Sequence, residues 1–307
     1  MNDRTKEILK LVSDWDGGEF KGAFNIREDG GCAGRQSSEN VIINSKEDAP
    51  GLVINISNKA QGETVYIPAC VTHGDVDDLV YNDFYIEDGA DVTIVAGCGV
   101  HTDDGHDARH NGIHRFFVGK GAHVLYKEKH IGTGSGTGLK KIDPVTHVEL
   151  DEDSVLEMDT LQISGVDQTT RKTTGSLGAR AKLIIHERIM TDGNETAKTD
   201  FNVEMNGEDS GVDLISRSVA KGNSYQEYHS VISGNCRCTG HSECDAILAG
   251  NGRVNAAPEL YAGDLDASLI HEAAIGKIAG EQIIKLKTLG LTDEEAEQKI
   301  IEGFLRG

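Results

Sequence analysis

The chain has 307 residues, 37% of them apolar and only 5% aromatic, with 37 glycines, 4 prolines and a formal net charge of −21. An acidic balance this strong opposes binding to nucleic-acid phosphate or to an anionic lipid surface, and no run reaches the roughly eighteen apolar residues that span a bilayer. The opening MNDRTKEILK carries charge and no signal-peptide core, so a cytoplasmic location is expected and the six cysteines (Cys32, Cys70, Cys98, Cys236, Cys238, Cys244) are expected as thiols.

Residues 3–14 predict a short amphipathic helix, with Ile8, Leu9, Leu11 and Val12 on its apolar side and Gly17-Gly18 ending it. A helix this short is marginal alone, so it is expected to pack on the main body. From about residue 25 the signal becomes short β-runs: VIINS (41–45), LVINIS (52–57), TVYIP (64–68), DVTIVAG (91–97), RFFVG (115–119), HVLYKE (123–128), VLEMDT (155–160), AKLIIHE (181–187), FNVEM (201–205) and VDLISRS (212–218). A unit recurs among them, a turn of small or acidic residues followed by an alternating strand. Gly89, Gly121, Asp153, Gly178 and Asp209 mark it, at spacings of 32, 32, 25 and 31 residues. Such spacings belong to solenoids, whose coils bury their apolar faces only by stacking. The expected fold is mainly β, a right-handed parallel β-helix with a short N-terminal helix and a C-terminal helical region. A β-sandwich would need hairpin turns every 8–12 residues, which are not consistently present.

The glycine-rich HIGTGSGTGLKK (130–141) is not a phosphate loop, because Lys140-Lys141-Ile142 supplies no Gly-Lys-Ser/Thr ending and Pro144 follows closely. It reads as a loop between coils. Two helices close the sequence: one over about Ser268–Thr288, capped by Gly290, and a second opened by a Thr292/Glu295 capping box. The expected organisation is an N-terminal helical segment (1–24), a β-helix core (25–268) and a C-terminal helical region (269–307), whose helices could cap the solenoid or offer a groove to another protein.

Two groups of residues could carry chemistry. Cys98 is followed by His101, His106, His110 and His114; this is either a metal site or a solvated polar loop, and Asn111-Gly112 argues against the helix that a His-x-x-x-His zinc motif needs. Cys244 and His271 lie 27 residues apart, about one coil, so they would stack on neighbouring coils. Thiolate with imidazole suits zinc, copper or iron–sulfur chemistry. Cys236 and Cys238, at i and i+2, share one strand face and could assist as ligands. Cys244 could equally be a small buried apolar residue.

The order CDAILAG (244–250), a Pro-containing run, HEA (271–273), Gly280-Glu281-Gln282 and a final helix ending Gly-Phe resembles the C-terminus of the SufB/SufD family, the scaffold subunits of the SUF iron–sulfur cluster assembly machinery. Gly97-Cys98, His110 and VGKGAHVLY (118–126) extend the likeness, which runs from about Phe84 to the C-terminus. The resemblance implies a short, single-gene SufB-like scaffold, not itself an enzyme, that assembles and transfers an Fe–S cluster. It implies Cys98 as acceptor of persulfide sulfur, a role that calls for a thiol pKa lowered by nearby cations. It implies Cys244, His271 and Glu272 as cluster ligands, with Cys236, Cys238 and His110 as auxiliary positions. The implied partners are a SufC-like ABC ATPase docked at TLGLTDEEAEQKIIEGFL, a second copy in a homodimer with ISRSVAKGNSYQEYHSVISG (215–234) pairing across the interface, a sulfur donor and apo Fe–S proteins. A family Glu before the His is Ile270 here. The alternatives are a SufD-like partner that ligates no cluster, against which both thiols argue, and a β-helix carbohydrate-active enzyme, for which no catalytic cleft residues or secretion signal are evident.

Overall fold

Stacked turn-and-strand units build a two-sided parallel β-helix of about eight turns in the computed structural model of the chain. The structure describes residues 1–13, 15–163 and 165–306; Asp14, in the predicted N-terminal helix, and Gly307, in the predicted C-terminal region, lie outside them. Each turn lays one strand in a 12-stranded sheet and one in a 10-stranded sheet. In the larger sheet Asp91 pairs with His123, His123 with Val155, Val155 with Lys182, Lys182 with Gly211, Gly211 with Thr239 and Thr239 with Ser268. Coil length therefore falls from 32 residues to 27–29 along the solenoid.

The turn series needs one correction. Left-handed backbone occurs at Gly89, Gly121, Asp153, Arg180 and Asp209. Arg180, not Gly178, is the equivalent position, and it bridges to Asp153 and Glu152 of the previous turn. Gly178 serves close approach instead: a Cβ there would lie 3.0 Å from the Leu150 carbonyl oxygen.

Along the 12-stranded sheet the inward side chains sort into two lanes. Val124, Leu156, Leu183 and Val212 stack as one apolar row, and Tyr126, Met158, Ile185 and Leu214 as the next; all are buried. Each such residue contributes about 1.5–3 kcal/mol on burial. Two positions further along the same strands the row becomes Glu128, Thr160, Glu187, Ser216 and Cys244. The solenoid is thus apolar along one side of its interior and polar along the other.

Helix α1 (Asp3–Val12) is capped by Asn2, whose side chain accepts from the Thr5 amide at 2.8 Å. It buries Ile8, Leu9 and Val12 as expected but leaves Leu11 exposed. It packs on the outside of the larger sheet, where Gly97 and Gly99 let it approach: a Cβ on Gly99 would stand 2.2 Å from Ile8 Cγ2. At the other end, α2 (Gly280–Lys287) and α3 (Asp293–Arg306) follow the last strand. The Thr292/Glu295 capping box is present, with reciprocal bonds of 2.8 and 3.2 Å. Helix α3 lies on the flank of the solenoid, Ile301 and Leu305 against Val219, and does not close its end.

Two expectations fail here. The helix expected from Ser268 begins only at Gly280, because Ala267–Lys277 is the final strand of the larger sheet. The segment 215–234 is not an interface edge: its strands Ser210–Ala220 and Tyr225–Gly234 are paired on both sides. The free edges are Arg253–Ala262 and Ala267–Lys277, each paired on one side only. The loop at 134–139 joins coils as expected, held by Asp103 and Asp107 carboxylates accepting from the Ser135 and Leu139 amides.

Candidate functional site

Cys98 opens the short strand Cys98–His101 in the larger sheet and points into the interior. Beside it is a cavity of about 260 Å³, which His110, His114, Asn82, Arg27 and Cys32 also line. The four histidines after Cys98 form no metal cluster. His101 is bonded to Asp103 and Thr133, His106 faces Asp75 on the surface, and His110 and His114 alternate inward on the strand Ala108–Val118. His110 Nδ1 lies 3.0 Å from Asp78, which Arg27 grips with bonds of 2.6–3.0 Å. Burial alone would raise the Asp78 carboxyl, but His110 and Arg27 hold it well below the usual range. Burial pushes His114 down to about 4, so it is neutral at pH 7.

The expected activation of Cys98 by cations is not what the site provides. Burial raises its thiol well above the ordinary value, Glu128, Cys70 and Asp78 add to this, and Arg171 opposes it only weakly. Cys98 is therefore a protonated thiol in this conformation.

From Cys98 a chain of buried polar groups runs down the interior. Glu128 accepts from Tyr126 Oη at 2.9 Å and from Arg171 Nη1 at 2.6 Å. Arg171 also reaches Glu187 at 3.4 Å, and Glu187 accepts from Thr199 and Ser216. Ser216 is the register partner of Cys244. About five coils separate the two thiols, roughly 24 Å at the usual strand spacing. Burial of two carboxylates and one guanidinium is tolerable only because each is paired and hydrogen-bonded.

Cys244 ends this lane. Burial pushes its thiol up to about 12, with Glu187 and Asp245 adding. His271 lies in the last strand, not in a helix, and its register partner is Ser242; Cys244 pairs with Ala273. Cys244 and His271 are thus diagonal neighbours facing the same interior, roughly 8 Å apart at the backbone. His271 Nδ1 is buried with no hydrogen-bond partner. Glu272, next in the strand, points to the opposite, outer face and is exposed, so within one chain it does not join Cys244. Cys236 and Cys238 sit at the other end of the strand Cys238–Leu248, roughly 20 Å from Cys244, and are buried with raised thiols. His110 groups with Cys98 and not with Cys244.

Sequence reading missed Glu128, Arg171 and Glu187, the charged centre of the lane. The available signal was the alternation in QTTRKTTGSL, whose inward positions are Thr169, Arg171, Thr173, Gly175 and Leu177. Apolar periodicity does not find a strand whose inner face is polar.

A parallel β-solenoid that is neither wholly apolar inside nor an open cleft, with thiols and imidazoles set along a buried polar lane, defines a protein that handles soft or metal-bound cargo inside its own core. Residues 81–304 match the family described as SUF system FeS cluster assembly, SufBD core domain. Relatives called iron–sulfur cluster assembly SufBD family proteins include one from Archaeoglobus fulgidus, 29% identical over 84% of this chain and 69% of the relative. One from Methanothermobacter thermautotrophicus is 27% identical over 79% and 59% respectively, and one from Methanocaldococcus jannaschii 27% identical over 88% and 86%. The chain belongs to the SufBD family of iron–sulfur cluster assembly proteins. No helix among the described residues is long and apolar enough to cross a membrane.

Proposed function

We propose that the chain is a scaffold on which an Fe–S cluster is built and from which it is passed to apo proteins, with Cys244 and His271 as cluster ligands and Cys98 as the point of sulfur uptake. The observation that carries this reading is the Cys244/His271 pair on the last two strands of the open-ended solenoid, with His271 Nδ1 buried and unbonded. An unsatisfied buried imidazole nitrogen costs about 1–3 kcal/mol, which a soft acceptor such as iron would recover. The cluster is cargo: the raised Cys244 thiol must lose its proton on ligation, so metal uptake releases protons and strengthens with pH. Cys98 takes sulfur by attack of its thiolate on the outer sulfur of a donor persulfide, releasing the donor thiolate. Its protonated resting state makes that step depend on opening by the donor. Arg27, Arg35 and Lys46 line the cavity beside it and favour an anionic sulfur species there.

The free edges Arg253–Ala262 and Ala267–Lys277, with Tyr261, Leu265, Ile270 and Ile275 exposed, support a homodimer formed end to end. In it Cys244 and His271 of both copies would approach the two-fold axis. Since the sequence has no phosphate-binding loop, ATP hydrolysis falls to a SufC-like ABC ATPase docked at α2 and α3, where Ile284 and Leu289 are exposed. The test is anaerobic reconstitution with ferrous iron and sulfide, counting iron and acid-labile sulfide in the intact chain, Cys244→Ala and His271→Ala. Loss of uptake in Cys244→Ala with the fold retained supports the scaffold; equal uptake by all three removes this site. No uptake by any of them, with or without the ATPase, leaves the SufD-like role.

A further inference from the structure

On the outer face of the larger sheet, behind Cys244, four polar side chains form a two-by-two block. Asp213 pairs with His241 across one strand gap, Glu243 with Glu272 across the next, and His241 and Glu243 are two apart on one strand. His241 Nδ1 is 2.8 Å from Asp213 Oδ1. That bond sets the tautomer with the proton on Nδ1 and turns Nε2, with its free lone pair, toward the two glutamates. Nε2 lies 3.8 Å from Glu272 Oε2, too far for a hydrogen bond. One ligand atom from each of His241, Glu243 and Glu272 falls within 4.8 Å of the others, and no other set of three metal-ligating side chains does so among the described residues.

From this geometry we infer a binding site for a divalent first-row metal ion, with His241, Glu243 and Glu272 as ligands and Asp213 orienting the imidazole. Ligands on an ion held at about 2.1 Å stand about 3–3.6 Å apart, so the two glutamates need close by only about an ångström. A carboxylate behind a ligating histidine is the usual second partner of such a metal site. One imidazole with two carboxylates suits ferrous iron, manganese or zinc over copper(I). Arg217 is the one cation at the margin, 4.0 Å from Glu243, and it can stay as a counter-charge.

The molecule holds its own comparison. On the smaller sheet His229 also sits between two carboxylates, but both ring nitrogens are occupied, by Asp200 and Glu259 at 3.1 Å each. The Glu259 bond, and then Asp200, raise its pKa. His229 is an ion-pair histidine with no lone pair to offer; His241 has a third carboxylate and a gap. Under the proposed function the ion is ferrous iron held one sheet thickness from the cluster ligands. That identity rests on the scaffold reading; the site itself does not.

The probe is Mn²⁺, which prefers N and O donors to thiols, titrated into the full-length chain at 0.15 M salt while the signal of free Mn²⁺ is followed by electron paramagnetic resonance. One saturable site per chain is expected, lost in His241→Ala and in Glu243→Gln, and weakened about 10–100-fold in Asp213→Asn. His229→Ala and Cys244→Ala should bind as the unaltered chain does. Circular dichroism confirms the fold of each variant. Only weak, unsaturable binding, or binding that survives both His241→Ala and Glu243→Gln, overturns the site, as does equal loss in His229→Ala. Because Cys244→Ala is neutral here but decisive in cluster reconstitution, failure of this site and failure of the scaffold reading are separable.

Discussion

Arg171 stands between two buried carboxylates, 2.6 Å from Glu128 and 3.4 Å from Glu187, and is itself buried. At an effective dielectric of about 20 these contacts are worth roughly 6 and 5 kcal/mol in gross Coulomb attraction. Desolvation of the three ions consumes most of that, at several kcal/mol each. Arg171→Met removes the attraction and leaves both carboxylates in the core, so a net loss of about 3–5 kcal/mol is expected. The pH dependence is the sharper signature. Burial pushes Glu128 up, but Arg171 and His130 hold it well below its unfolded value. The stability it contributes is therefore present above about pH 4.5 and is lost as pH falls through the folded value. Without Arg171, burial beside Glu187 raises the carboxyl above its unfolded value, and stability then falls as pH rises. Urea or thermal unfolding of both chains between pH 5 and 8 checks this. The intact chain should be flat across that window as far as this group is concerned, and the variant more stable at pH 5 than at pH 8. A loss under about 1 kcal/mol with an unchanged pH profile would refute the idea that the lane is an obligate charge network. Arg171→Lys should fall between, because lysine lacks the planar fork that reaches both partners.

Thiol labelling should separate the cysteines: Cys32 is exposed and reacts first with an alkylating reagent, while Cys98 and Cys244, buried and raised, lag strongly and speed up with pH; rapid labelling of Cys98 at pH 7 would contradict the closed interior. Gly99→Val should undock α1, since its Cβ alone would meet Ile8 Cγ2 at 2.2 Å; a loss of about 1–3 kcal/mol and new protease cleavage near Gly17-Gly18 are expected, and unchanged protection would place α1 elsewhere. Ile301→Ala, at a side chain 1% exposed against Val219, should cost about 2–5 kcal/mol of α3 docking. Hydrogen exchange should show α3 loosened and the solenoid strands intact; whole-chain unfolding would mean that α3 is integral to the core.

Coil length and the parallel β-helix were legible because Gly89, Gly121, Asp153 and Asp209 punctuate alternating strands at near-constant spacing, and stacked coils demand that spacing. Every β-run rich in Val and Ile became a strand. The missed strands are Gln168–Leu177, Cys238–Leu248 and the two free edges. Their inward residues are polar or small, so the apolar period that marks a strand is absent from them. Ala267–Lys277 misled further: SLIHEAAIGKI has helix-favouring composition, and only the pairing offered by Cys238–Leu248 makes it a strand.

The residue types at the candidate site were open to sequence reading, since thiols, imidazoles and their order along the chain need no coordinates. Their grouping was not. Strand alternation puts Cys244 and His271 inside and Glu272 outside, a parity that a single residue of register would reverse. The environment of Cys98 was likewise invisible, because Glu128 and Arg171, which surround it, lie 30 and 73 residues away and meet it only when coils stack. What the chain encodes locally is the coil; which side chains share an interior, and with what charge, is decided by how the coils align.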